Sequence, residues 1–148
     1  MNTPPVKPFE RDPAHWLYKL SPDEWLGAAL SEMARAEALY KERNAKGGLA
    51  SARRAAGMAL NGALILVPKE WGRSFVDHLV SLRTDIDAPE AVKDACRVLL
   101  ETQPPGPTLL TLRSAKGDER VLEAARDVVA HAYAVIRKNE PLPQAEPS

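Results

Sequence analysis

The sequence predicts an all-α protein, an up-and-down bundle of four to five helices. Apolar residues recur every three or four positions in five segments, and capping residues precede several of these segments. No stretch alternates apolar and polar residues for long enough to make a convincing strand; residues 108–113 (TLLTLR) are the one short candidate. A chain of 148 residues is long enough for one domain with a buried core.

The thirteen prolines indicate the boundaries of this domain. Residues 1–13 and 140–148 are rich in proline and poor in apolar residues, so they are predicted to be flexible tails. Residues 14–139 then form the helical body. Three prolines fall where helices are expected to start, a position that tolerates the missing N–H: Pro22, Pro68 and Pro89.

The first helix opens with SPDE, in which Ser21 and Glu24 have the spacing of a capping box. Gly47 and Gly48 are predicted to end it. One apolar stripe follows the capping box: Leu26, Ala29, Leu30, Met33, Ala36 and Tyr40. A second helix is expected at about 49–66, with an alanine-rich stripe that permits close packing between helices.

Three further helices follow. The third is predicted to begin after Pro68, with an apolar face of Trp71, Phe75, Leu79 and Leu82. In the fourth, Asp87 and Glu90 have capping spacing before Val92, Cys96 and Leu99. The fifth is expected from about Asp118 to Asn139, with the stripe Val121, Leu122, Ala125, Val128, Val129, Ala132, Val135 and Ile136.

Composition excludes several classes of function. Twenty basic residues balance twenty acidic ones, which argues against a DNA-coating protein. The single cysteine, Cys96, cannot form an internal disulfide or a cysteine-based zinc site. No metal-ligand spacing or glycine-rich phosphate loop occurs, so no metal and no cofactor are expected. Without a signal peptide or an apolar run of membrane-spanning length, the chain is expected to be cytoplasmic, with no membrane partner.

The stretch RDVVAHAY on the fifth helix raises a catalytic hypothesis. Arg126 could bind a scissile phosphate with its planar fork, while His131 takes a proton from an RNA 2′-hydroxyl. Residues five apart on a helix differ by about 140° around its axis, so the pair should flank the apolar stripe and meet only across a dimer. The alternative is that His131 and Tyr133 are amphipathic residues at the edge of the core.

Two other sites remain open. Arg73 and His78 repeat the same spacing on the third helix and are the second choice for catalysis. Arg53 and Arg54 lie near the start of the second helix, where basic side chains and a helix N-terminus suit a phosphate. In each case a core-edge or solvated role is the competing interpretation.

The order of four segments resembles the HEPN family, small helical-bundle domains of prokaryotes and higher eukaryotes associated with nucleotides. The segments are SARRAAGMALNGALI, WGRSFVDHLVSL, PEAVKDACRVLL and GDERVLEAARDVVAHAYAVI, within about residues 22–138. Ribonuclease members of that family carry an Arg–polar–x3-His motif, sometimes with a Tyr two residues on, which Arg126, Asp127, His131 and Tyr133 match. The resemblance implies a homodimer, a nucleotide or RNA ligand, and for Tyr133 modification by a nucleotidyltransferase antitoxin.

Three functions follow as hypotheses. The first is a HEPN-like, homodimeric, non-catalytic module that binds a nucleotide, RNA or a partner protein, since many family members lack the catalytic pair. The second is a metal-independent endoribonuclease of the toxin type that uses Arg126 and His131. The third is a protein-interaction scaffold without a small ligand.

Overall fold

In the computed structural model, residues 9–103 and 115–140 are described, and they form five α-helices with no strand among them. The helices are α1 (Pro22–Lys41), α2 (Ala45–Leu66), α3 (Phe75–Arg83), α4 (Glu90–Glu101) and α5 (Ala115–Asn139). This confirms the predicted all-α bundle. The candidate strand at 108–113 and most of both predicted tails lie outside the described residues.

Helix α2 is the centre of the bundle. It packs against α1 and α5 along most of its length and also against α3, while α4 packs mainly against α5. Its buried face is rich in small residues, which lie between Leu49, Leu60 and Leu64: Ala52, Ala55, Ala56, Ala59 and Ala63. Because these side chains add little width, neighbouring backbones approach α2 closely, and one core joins all five helices.

The ends of α1 show why it starts as predicted but stops earlier. Ser21 Oγ accepts the amide of Glu24 at 3.1 Å, and Glu24 accepts the amide of Ser21 at 3.0 Å, which confirms the capping box. The predicted stop at Gly47–Gly48 is wrong. Arg43 takes a left-handed conformation (φ 61°), and the amide of Asn44 donates to the carbonyl of Leu39, a Schellman ending.

Helix α2 therefore starts four residues before the predicted Leu49. The side chain of Asn44 accepts the amide of Gly47 at 2.9 Å and caps the helix, so both glycines lie in its first turn. Gly48 is needed there for space, because a Cβ atom at this position would lie 2.7 Å from the ring of Tyr40.

Three expectations for α3, α4 and α1 are also corrected. Helix α3 begins at Phe75 rather than after Pro68, because Gly72 (φ 80°) turns the chain and Ser74 caps the amide of Asp77. Asp87 and Glu90 do not form a capping pair, since Pro89 occupies the N-cap without any side-chain hydrogen bond. Leu30, assigned to the buried stripe of α1, is exposed.

The fifth helix keeps its predicted stripe but begins three residues early, at Ala115. Seven of the eight predicted stripe residues are buried, and Val135 is partly buried against the core. This long helix lies beside both α1 and α4, so its two edges face different surroundings.

We predict that Gly57→Ala destabilises the protein by about 1–3 kcal/mol, the usual range for overpacking. A Cβ atom there would lie 2.2 Å from Cδ1 and 2.4 Å from Cβ of Phe75, so α3 would have to move away from α2. Gly117→Ala is the matched control: its Cβ would meet nothing within 4 Å, and helix propensity alone should make it neutral or stabilising by up to about 1 kcal/mol. Urea denaturation of both variants measures this; equal stabilities would contradict the close α2–α3 packing.

Candidate functional site

Helix α5 carries Arg126 and His131 on the two sides of its buried stripe. Arg126 and Tyr133 line a groove that α5 forms with α1. His131 lines a separate cavity on the other side, bounded by the end of α2 and by the connection between α3 and α4. Within one chain, therefore, the fold brings Arg126 next to Tyr133 but not next to His131.

The α1–α5 groove is a surface depression of about 740 Å³ between the exposed edges of the two helices. Two large apolar side chains are exposed in it: Leu30, 61% exposed, and Tyr133, 50% exposed. Small residues between them keep the groove shallow and open: Gly27, Ala34 and Ala130. An apolar strip flanked by charged residues is a surface that can contact another protein.

Charged residues form the rim of this groove, acids on α1 and arginines on α5. Arg126 pairs with Glu37 at 3.0 Å and with Glu119 at 2.9 Å, and both carboxylates raise its pKa, Glu37 the more. Arg137 pairs with Asp23 at 3.1 Å. Asp23 at the start of α1 pairs with Arg137 at the end of α5, whereas Glu37 near the end of α1 pairs with the earlier Arg126. The two helices are therefore antiparallel.

Tyr133 lies between the Arg126–Glu37 and Arg137–Asp23 ion pairs, beneath the guanidinium group of Arg137. The guanidinium carbon of Arg137 is 4.8 Å from the centroid of its ring, a cation–π contact. The ring is half-exposed on the groove, so Tyr133 is accessible from outside the molecule.

The second feature is the His131 cavity, about 320 Å³ in volume. Its floor is apolar and comes from α2, α3, α5 and the connection before α4: Leu60, Ala63, Leu64, Leu82, Ala88 and Val135. Its mouth carries Trp71 and several polar side chains: Lys69, Asp85, Asp87, His131, Lys138 and Asn139. Burial lowers the pKa of His131, although Asp85 opposes the shift, so the imidazole is neutral at neutral pH.

The second Arg–His pair has a different environment. His78 is fully buried, and its Nε2 lies 3.0 Å from the carbonyl oxygen of Gly72. Its ring stacks near Trp16 at a centroid distance of 6.3 Å, and the guanidinium of Arg73 lies 5.4 Å from the same tryptophan. Arg73 and His78 thus share one aromatic neighbour, but solvent and RNA have no access to the histidine.

The two arginines of α2 contact other parts of the chain. Arg53 donates to the carbonyl oxygens of Leu99 at 2.6 Å and Thr102 at 2.9 Å, which caps the C-terminal end of α4. Arg54 pairs with Glu32 of α1 at 2.7 Å. As phosphate ligands, both guanidinium groups would have to leave these partners.

The acidic edge of the α1–α5 groove was not predicted from the sequence, although its spacing was readable. Asp23, Leu30 and Glu37 are seven residues apart in turn, and so are Arg126 and Tyr133. Seven residues are close to two full turns, so each set falls on one helix face. The mouth of the His131 cavity has no such signal, because its residues come from separate segments.

Comparisons with protein-family models, curated proteins and solved structures found no match to this chain. Within residues 9–103 and 115–140, no three His, Cys, Asp or Glu side chains are grouped to hold a metal ion. Over the same residues, no helix combines the length and apolar character needed to cross a bilayer.

We predict that stability falls as the pH drops from about 7.5 to 5. Burial lowers the pKa of both His78 and His131 in the folded state, whereas the unfolded chain protonates them near the ordinary value of 6.5. Below that pH the unfolded state binds more protons, so the stabilisation present above it is lost. Urea denaturation across this range tests the direction, and His131→Gln should reduce the slope. A pH-independent stability would contradict the buried neutral imidazoles.

Proposed function

We propose that this protein is a non-catalytic helical binding module that works as a homodimer, paired through the α1–α5 groove. The observation that carries the proposal is the self-complementary rim of that groove. Acidic residues follow one edge and arginines the other, with exposed apolar side chains between them. A face of this kind can bind a second copy of itself.

The charges select one orientation of the two copies. A two-fold axis parallel to the helices would stack α1 of each copy on α5 of the other. Asp23 would then face the partner's Arg137, and Glu37 would face the partner's Arg126, at matching heights. An in-plane axis perpendicular to the helices would instead bring acid over acid and arginine over arginine, which is repulsive.

The apolar residues suit the same arrangement. Leu30 of one copy would lie on Tyr133 and Ala130 of the other. Each of the two symmetry-related contacts would thus remove two large exposed side chains, Leu30 and Tyr133, from water. Gly27, Ala34 and Ala130 allow the helices to approach closely. The result is a four-helix bundle at the interface, formed by α1 and α5 of each copy.

This dimer does not support the endoribonuclease alternative. Arg126 would lie within the interface, paired with carboxylates, while His131 would face the separate cavity on the far side of α5. The two groups would not share a cleft. The resemblance to HEPN domains, with the nucleotide, RNA or antitoxin partner that it implies, remains a prediction beside the proposal.

We predict that Leu30→Glu raises the dimer dissociation constant by about tenfold or more, an effect of roughly 1.4 kcal/mol. The substitution places a charge in the apolar centre of the proposed interface. Val80→Glu is the matched control, because Val80 is 48% exposed on α3, outside the groove. Sedimentation velocity over a concentration series measures both. A monomeric wild-type chain at every concentration, or equal effects of the two variants, would rule the pairing out.

The orientation of the dimer has its own test. Leu30→Cys mixed with Ala130→Cys should give a cross-linked dimer with a short bis-maleimide, whereas neither variant alone should cross-link efficiently. Cys96 does not compete, because it is fully buried and burial raises its pKa to about 12. Strong cross-linking of Leu30→Cys alone would indicate the perpendicular axis and contradict the proposed stacking.

We also predict that His131→Ala leaves any RNA cleavage by the purified protein at the wild-type level. The measurement is the rate of cleavage of a labelled RNA without added metal, with Arg126→Ala compared in parallel. Loss of a measurable wild-type activity in both variants, with the fold retained by circular dichroism, would restore the endoribonuclease hypothesis.

A further inference from the structure

The mouth of the His131 cavity carries two lysines and two aspartates, and among them Asp85 Oδ1 accepts the amide of Asp87 at 2.9 Å. Lys69 lies in the connection between α2 and α3, Lys138 at the end of α5, and Asp85 and Asp87 in the connection between α3 and α4. Among the described residues, none of these four side chains makes an ion pair. Around the α1–α5 groove, in contrast, the rim acids Asp23 and Glu37 are both paired with arginines.

The imidazole of His131 also lies at this cavity. It is half-buried, and no described residue forms a hydrogen bond with its ring, although Asp85 is close enough to affect it electrostatically. A neutral imidazole offers one donor and one acceptor. His131 lines a space whose other walls are largely apolar, a combination typical of small-molecule sites.

The size and the walls of the cavity limit the ligand. A volume of about 320 Å³ suits a small molecule rather than a peptide segment or a polymer. The floor offers leucines and alanines, and the half-buried ring of Trp71 stands at the edge. The part of the ligand that enters must therefore be apolar or aromatic.

The mouth determines the charge of the ligand. A bound molecule that covers the mouth removes water from both the lysines and the aspartates. An anion would offset only the lysines, and a cation only the aspartates, so each would leave two desolvated charges without a partner. A molecule with one group of each sign, held a short distance apart, offsets both.

We propose that the His131 cavity binds a small zwitterion with an apolar or aromatic side chain, the chemical class of a free hydrophobic amino acid. Lys69 and Lys138 bind its carboxylate, and Asp85 and Asp87 bind its ammonium group. The side chain fills the apolar floor beside Trp71. This proposal does not rest on the homodimer, because the cavity lies on the opposite side of α5 from the groove.

The experiment compares three ligands that share one ring. L-Phenylalanine carries both charges, 3-phenylpropanoate lacks the ammonium group, and 2-phenylethylamine lacks the carboxylate. In calorimetric titrations of the full chain, phenylalanine should bind about tenfold or more tightly than either analogue, as expected when a charged hydrogen-bonded partner is removed.

Two variants then assign each charge to its partner. Lys138→Gln should weaken phenylalanine and 3-phenylpropanoate and leave 2-phenylethylamine unchanged. Asp87→Asn should weaken phenylalanine and 2-phenylethylamine and leave 3-phenylpropanoate unchanged. Both side chains are exposed, so neither change should affect the fold. This crossed pattern measures coupling between one ligand group and one residue, which a general loss of structure cannot imitate.

Lys41→Gln is the control, because Lys41 is an exposed lysine at the end of α1, outside the cavity. It should leave all three affinities unchanged. The proposal is overturned if phenylalanine shows no binding at millimolar concentration, if all three compounds bind equally, or if Lys41→Gln weakens binding as much as Lys138→Gln. Sedimentation of the Lys138→Gln and Asp87→Asn variants should be that of the wild type, so failure here and failure of the dimer are separable.

Discussion

The close approach of helices to the small-residue surface of α2 is the constraint on which the rest of the fold depends. At Gly57 the ring of Phe75 occupies the space that a Cβ atom would take, and at Gly48 the ring of Tyr40 does the same. A Cβ atom at Gly62 would lie 2.9 Å from the carbonyl oxygen of Pro22 and 3.0 Å from Cδ1 of Ile136, so this glycine also permits close packing. With α1, α3 and α5 held this close to α2, the large side chains of these helices and the leucines of α2 fill one core.

That arrangement gives α5 two unlike edges. On the α1 side its arginines reach acidic residues of the neighbouring helix, so the charges are satisfied and the exposed surface between them is apolar. On the other side the end of α2 and the α3–α4 connection leave a space that no side chain of residues 9–103 or 115–140 fills. An apolar strip whose flanking charges are already in ion pairs suits another protein surface, because binding then buries few unpaired charges. An apolar hollow with unpaired charges at its mouth suits a small molecule with charges of its own.

Much of the fold was readable in the sequence, because its signals are local. The capping box at Ser21 and the eight-residue stripe of α5 needed only spacing and residue type. The errors came where tertiary contacts override local preference. Gly47 and Gly48 look like a helix end, yet Asn44 caps α2 and Tyr40 packs on Gly48. Helix geometry also predicted that Arg126 and His131 lie on opposite sides of the apolar stripe. The mouth of the His131 cavity could not be predicted in this way, because Lys69, Asp85 and Lys138 come close together only after folding.

The two Arg–x4–His pairs show why this spacing alone is a weak indicator of catalysis. A fixed interval on a helix determines the angle between two side chains, but the neighbours of each side chain depend on which face that helix buries. In α5 the buried face lies between the pair and separates them. In the other pair, Arg73 precedes α3 and stacks on Trp16, while His78 points inward and is enclosed by Trp16 and Trp71. Catalysis by either pair would need both a free arginine and an accessible base in one cleft. Arg126 is free only if two carboxylates release it, and His78 is accessible only if the core opens. The same spacing therefore gives its residues two different sets of surroundings.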